Sequence, residues 1–237
     1  MPSPLVQSLT GLAGTPDDSS WISRQLDTIA QLTADLVTPV SYASITAYRD
    51  DSYTTVAVSS AVALAVDEAQ YDDRDGPCLT ALDAGEPVAV PDFGRTMSWP
   101  GFRTAAYRLG LRASLSVPLF AGRGSAIAAL NLYGRDPEAM APLIAAVWSA
   151  FAADAPAVDP DADRRKLDDG SAGLVAGIAG AFAVRAVIHQ AIGVIIADTQ
   201  QSADGAYVAL RMRAAEQGCN LSDVAAAVVA GKRWDPR

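Results

Sequence analysis

Arg185-Ala-Val-Ile-His-Gln-Ala-Ile-Gly-Val-Ile-Ile-Ala-Asp198, Ser202-Ala-Asp-Gly-Ala-Tyr-Val-Ala-Leu-Arg211 and Asn220-Leu-Ser-Asp-Val-Ala-Ala-Ala-Val-Val229 are three apolar-periodic runs separated by short polar breaks. In and just before the first, Val184, Val187, Ile188, Ala191, Ile192, Val194 and Ile195 cover more than one stripe of a 3.6-residue period. Such a helix needs cover on two sides, which a bundle provides. Ser202 stands where an N-cap would, its hydroxyl free to accept an orphan amide, with Ala206, Tyr207, Leu210 and Ala214 at helical spacing behind it. Gly218 suits the residue after that helix. Ser222 reads as the cap of a third helix with Val224, Ala225, Val228 and Val229 on one face and Gly231 at its stop.

The order Ala191-Ile-Gly193-Val194, Ser202, Ala206-Tyr207, Leu210-Arg211, Leu221 and Asp223-Val224-Ala225 resembles an ANTAR domain, the RNA-binding output module of bacterial transcription antitermination regulators. The chain departs from that pattern at Ile192, where Lys is frequent, at Gly205, where Glu is usual, and at Asn220, where a basic residue is common. The resemblance implies an all-α three-helix bundle over residues 184–237. Its expected partner is RNA, a two-hairpin element in an mRNA leader, and no DNA binding is implied. Arg185, His189, Arg211, Arg213, Asn220, Lys232 and Arg233 are the candidate contacts for phosphates and loop bases. Tyr207 falls at an apolar helix position and is assigned to the core.

Charge divides the chain in the same place. Residues 1–163 hold nine basic and twenty acidic side chains, whereas residues 164–237 hold nine basic and seven acidic. A polyanion needs Lys or Arg at its phosphates, so the acidic first part is disfavoured as a nucleic-acid surface and the second is not.

Residues 1–19, rich in Pro, Gly, Ser and Asp, are expected to be a mobile tail. Trp21 to Leu36 carries a helical pattern, with Pro39 beyond its end. Tyr42–Arg49 and Ser52–Ser59 flank Asp50-Asp51 as a hairpin, and Arg112–Phe120 and Ala126–Tyr133 flank Ala-Gly-Arg-Gly-Ser as a second. Helices are expected near Ala63–Tyr71, Trp99–Gly110 and Pro137–Ala153, with a short strand from Pro87 to Val90. Strand pairs among helices give an α+β unit over residues 20–153, an antiparallel sheet with helices on one face.

Asp73-Arg-Asp-Gly-Pro-Cys-Leu79, Gly85-Glu-Pro-Val88, Val90-Pro-Asp92, Trp99-Pro100, Arg112-Ala-Ser-Leu-Ser-Val-Pro-Leu119 and Ala129-Leu-Asn-Leu-Tyr133 resemble a GAF domain of the kind that precedes ANTAR modules. The resemblance implies a sensor with an unknown small-molecule ligand, and Cys78 is the candidate ligand-sensing residue. Asp73 and Asp75 beside it would raise its pKa and favour a packed thiol over a reactive one. The only histidine, His189, lies outside this unit, so haem through histidine, a bilin site and a Ser-His-Asp triad are all disfavoured. The absence of lysine from residues 1–163 excludes a P-loop and a phospho-receiver there. No catalytic constellation, metal site or disulfide is expected from two distant cysteines, Cys78 and Cys219.

Residues 154–183 are expected to form a linker and connecting helix. Leu174, Ile178, Ala181, Arg185, Ile188, Ile192 and Ile195 follow steps of four and three, a seam that would pair two subunits as a homodimer. Gly170, Gly173, Gly177 and Gly180 fit either close helix contact or a hinge, and a hinge that becomes helical in the dimer is preferred. No apolar run approaches a membrane span and no signal peptide is visible, so a cytoplasmic protein is expected. The functional expectation is a signal-responsive antitermination regulator. The alternative is a protein-interaction or scaffold dimer whose bundle has lost RNA binding, motivated by Ile192, Gly205 and Asn220.

Overall fold

The computed structural model describes residues 3–49, 51–151 and 167–231. Five strands, β1 (Tyr42–Arg49), β2 (Ser52–Val58), β3 (Val88–Val90), β4 (Ala113–Phe120) and β5 (Ala126–Gly134), form one antiparallel sheet in the order β2-β1-β5-β4-β3. Its helices are α2 (Ile22–Leu36), α3 (Ala61–Asp73), α4 (Pro77–Ala84), α5 (Pro100–Arg108) and α6 (Pro137–Phe151). The α+β expectation holds, with one correction: helices cover both faces. Ala43, Ile45, Leu115, Val117, Leu130 and Leu132 point to the side of α2 and α6, where they meet Leu26, Ile29, Leu143 and Val147. The alternate residues Ser44, Thr46, Ser114, Ser116, Asn131 and Tyr133 are equally buried, under α3, α4 and α5. Period-two alternation marks the two faces of a strand. It does not say that the polar face meets water.

The tail expectation is overturned. Residues 4–13 form α1 (Pro4–Ala13), with Pro4 in its first turn and Leu5, Leu9 and Leu12 almost wholly buried. They pack against the first half of α7 (Asp169–Thr199), a continuous 31-residue helix capped by the Asp168 side chain, which accepts from the Ser171 amide at 3.0 Å. In the described part of the expected linker, residues 167–183, Leu174, Val175 and Ile178 therefore belong to the core of the first unit. Residues 154–163 lie outside the described residues.

Gly173, Gly177 and Gly180 of α7 make this contact, so the hinge is also corrected. A Cβ at Gly177 would fall 2.7 Å from Leu9 Cδ1 and 3.0 Å from the Leu5 carbonyl, and one at Gly180 would fall 2.6 Å from Thr10 Cγ2. These three glycines cost the helix about 3 kcal/mol relative to alanine, at about 1 kcal/mol each. Three buried leucines return roughly 5–9 kcal/mol, so the close approach wins. Gly193 has open space around it. Gly193→Ala is expected to stabilise the protein by about 1 kcal/mol and Gly177→Ala to destabilise it, a contrast that paired urea melts would read directly.

The seam expected to pair subunits is filled from within the chain. Leu174 and Ile178 lie in the first core, and Ile188 and Ile195 in a second formed with α8 (Ala203–Gln217) and α9 (Leu221–Val229). By length and composition α7 does meet the requirement for a membrane span, with a mean hydropathy of 1.8 in its most apolar window, which corrects the expectation that no run approaches one. Its leucine and most of its isoleucines serve the two protein cores, and much of the rest is alanine and glycine.

In the three-helix unit the Ser202 hydroxyl accepts from the Gly205 amide at 3.1 Å, and Gly218 takes the left-handed conformation at φ 61°. Asn220, not Ser222, occupies the N-cap of α9, without a side-chain capping bond.

Candidate nucleic-acid interface

Two glycines shape the turn between β4 and β5. Gly122 and Gly124 have φ of 55° and 87°, and Arg123 between them projects over the three-helix unit. The turn lies against α7. Arg185 Nε donates to the Gly124 carbonyl at 2.7 Å, and the Arg185 guanidinium lies 4.2 Å over the Phe120 ring. One helical turn on, His189 Nε2 is 2.8 Å from the Arg123 carbonyl. A carbonyl only accepts, so this nitrogen carries the proton.

The connection between α1 and α2 closes on the same face from α8. Tyr207, whose ring is core as expected, donates its hydroxyl to Asp17 Oδ1 at 2.9 Å. Arg211 forms an ion pair with Asp18. Arg123 completes the arrangement, 3.4 Å from Asp17 and 2.8 Å from Asp204, with its guanidinium 5.3 Å over the Tyr207 ring.

The structure thus brings Arg185, His189 and Arg211 to one surface. Arg213 lies half-buried on α8, and Asn220 is exposed at the start of α9. Lys232 and Arg233 fall outside the described residues. Asp17, Asp18 and Arg123 were not singled out by the sequence, because pairing with the bundle across 66 to 193 positions leaves no local pattern.

A second polar constellation fills the helix-covered face of the sheet. Asp67 on α3 is fully buried and accepts from Tyr133 Oη at 2.5 Å, Thr55 Oγ1 at 2.9 Å and Asn131 Nδ2 at 3.3 Å. Tyr71 Oη lies 2.7 Å from Thr55 Oγ1 and 2.8 Å from Thr46 Oγ1, and Asn131 Nδ2 reaches Thr46 at 3.0 Å. A run of hydroxyl donors from Thr46 through Tyr71 and Thr55 can therefore end on the carboxylate. Asn131 Oδ1 and Ser114 Oγ are buried and, among the described residues, unpartnered. Tyr71 also lines an outer groove of about 800 Å³ with Tyr48, Tyr53, Arg74 and Asp83.

Cys78 belongs to this cluster, its Sγ 3.8 Å from Thr46 Oγ1. Burial pushes its thiol pKa well up, and the Asp67 charge adds to that. The acids expected to act on it, Asp73 and Asp75, are not the cause. Among the described residues no group of three or more His, Cys, Asp or Glu is gathered as a metal site.

Residues 23–158 match the family model of the GAF domain, and residues 177–229 that of the ANTAR domain. No curated protein is a significant sequence match. Among solved structures, a domain of a two-component sensor histidine kinase protein from Sinorhizobium meliloti is similar at 14% identity, covering 71% of this chain and 93% of that one with a TM-score of 0.43.

Proposed function

We propose, from the premise that the chain belongs to the GAF domain family and carries an ANTAR domain behind it, that it is a signal-responsive RNA-binding antitermination regulator. GAF and ANTAR domains are sensor and regulatory domains rather than catalytic families, and ANTAR domains are associated with RNA binding. The observation that carries the reading is the convergence of Arg185, His189 and Arg211 on one surface of the ANTAR bundle. Guanidinium and imidazole donors at that spacing suit phosphate oxygens and the edges of unstacked loop bases. Arg213, Asn220, Lys232 and Arg233 extend the contact set, the target is a two-hairpin element in nascent mRNA, and the protein works in the cytoplasm. A homodimer would present two modules to two loops and gain by effective concentration, through a surface other than the filled seam of α7. The input is a small molecule at the GAF domain, favoured by the unpartnered buried Asn131 Oδ1 and Ser114 Oγ and by an outer groove lined by Tyr71, a member of the same buried network.

Binding of the purified chain to a labelled two-hairpin RNA across a salt series tests this. Affinity should fall steeply with salt, because each neutralised phosphate releases counterions, and the Arg211→Ala/Arg213→Ala variant should bind at least about tenfold more weakly at low salt. Absence of binding at low salt by wild type and by variants that expose the bundle would transfer the proposal to an interaction scaffold, in line with Ile192, Gly205 and Asn220.

A further inference from the structure

We propose that the GAF domain holds the RNA-binding face closed with a clasp made of the Gly122-Arg123-Gly124 turn and the Asp17-Asp18 connection. This rests on the RNA-binding reading above and assigns the regulation of that same surface. Each element of the clasp offers the bundle what an RNA backbone would offer. The carbonyls of Arg123 and Gly124 accept from His189 and Arg185, the Asp18 carboxylate takes Arg211, and Asp17 anchors the connection on the hydroxyl of the core residue Tyr207. A phosphate oxygen cannot reach these donors while the clasp is shut. Clasp and RNA therefore exclude each other by occupying the same atoms.

The geometry is specific to this turn. A Cβ at Gly122 would lie 2.3 Å from Tyr207 Oη and 2.7 Å from the Asp17 amide nitrogen. One at Gly124 would lie 2.4 Å from His189 Nε2 and 3.1 Å from Arg185 Cγ. An ordinary hairpin turn needs glycine only for its backbone; these two positions are also against the other domain. Arg123 then ties both parts together through Asp17 and Asp204.

The clasp is also weak enough to open. Its ion pairs are half-exposed or exposed, and such pairs contribute little each in water. A protein open for a fraction of the time binds RNA with an affinity reduced by that fraction, so a signal needs only to shift the opening equilibrium by tenfold or so to be read. The β4–β5 turn continues directly into β5, which carries Asn131 and Tyr133 of the buried cluster, so the sheet itself connects the two places.

The test uses the full chain carrying Asp18→Ser and Arg123→Ser, which alter the clasp and leave every proposed RNA contact intact. A second variant, Gly124→Ala, forces the turn off His189 by a different route. Amide hydrogen exchange at residues 17–19 and 122–124 reports opening without RNA, and a labelled two-hairpin RNA reports affinity. The expected result is faster exchange with about tenfold tighter RNA binding in both variants, and a steeper salt dependence than wild type, in which salt also loosens the clasp. Faster exchange with RNA affinity unchanged from a measurable wild-type value would overturn the clasp and leave the RNA reading standing. Faster exchange with no RNA binding by any form would overturn both. Unchanged, rapid exchange in wild type and variants would show that the turn is not docked and would also overturn the clasp.

Discussion

Leu9→Ala is expected to lower the stability of the protein by about 2–5 kcal/mol, the range for truncating a leucine in a close-packed core. Leu9 lies on Gly177 of α7 and lines a small apolar pocket with Leu12, Leu119, Phe120, Ile178 and Phe182. The helix backbone gives little room for collapse, because Gly177 is already in contact and a glycine has no side chain to swing into the gap. Alanine is the better helix former, so a loss of this size cannot come from α1 unwinding on its own. Urea denaturation followed by far-ultraviolet circular dichroism gives the measurement, with a midpoint shift of about 1–2 M for a slope of roughly 2–3 kcal/mol/M. A change below about 1 kcal/mol would mean that α1 does not form part of the folded core. The same variant has a local effect, since α1 leads into the connection that carries Asp17 and Asp18.

That α1 exists at all was written in Leu5, Leu9 and Leu12, spaced four and three apart behind Pro4, yet nothing nearby required it. A ten-residue helix is marginal in water, and its stability comes from the distant helix it packs against, where Leu9 meets Gly177. The glycines of α7 were visible but ambiguous in the same way. Close contact and hinge predict one pattern, and the partner that separates them is distant in sequence. By contrast, the two hairpins and the bundle helices carried their evidence locally, in β-branched runs, Ser202 and Gly218. The buried polar face was misleading for a different reason. Ser44, Thr46, Ser114 and Asn131 alternate with apolar neighbours as a solvent-facing row would, and only the helices laid over them reveal a buried network. For the candidate interface, the donor side was legible from the resemblance, and the acceptor side, Asp17, Asp18 and the carbonyls of residues 123 and 124, was not, because a backbone oxygen has no sequence signature.

The second large effect concerns Asp67, whose stability contribution should fall on the order of 3 kcal/mol as pH rises from about 4 to 7. Burial pushes its carboxyl from an ordinary 3.8 up to about 6, against the opposing pull of its donors Tyr133, Ser44, Thr55 and Asn131. Between those two values the folded protein keeps a proton that the unfolded chain has lost. Stability from this group is therefore fully present below about 3.8 and lost as pH rises through about 6, and two pKa units at about 1.4 kcal/mol each set the size. Asp67→Asn keeps the shape and never ionises. Whatever the amide costs by facing Tyr133 and Thr55 is a constant, since those groups do not titrate in this window, Tyr133 being pushed further up by burial. The difference between wild-type and variant stability must then slope with pH even if the variant is weaker throughout, while every other carboxylate cancels. Urea midpoints of both proteins at intervals across this range measure it. A flat difference would mean that the carboxylate is solvated or permanently charged in the folded state. A descending one would establish that, at neutral pH, the GAF core holds an uncompensated negative charge among hydroxyl donors, a charge that a cationic or proton-donating ligand entering beside Tyr71 would relieve.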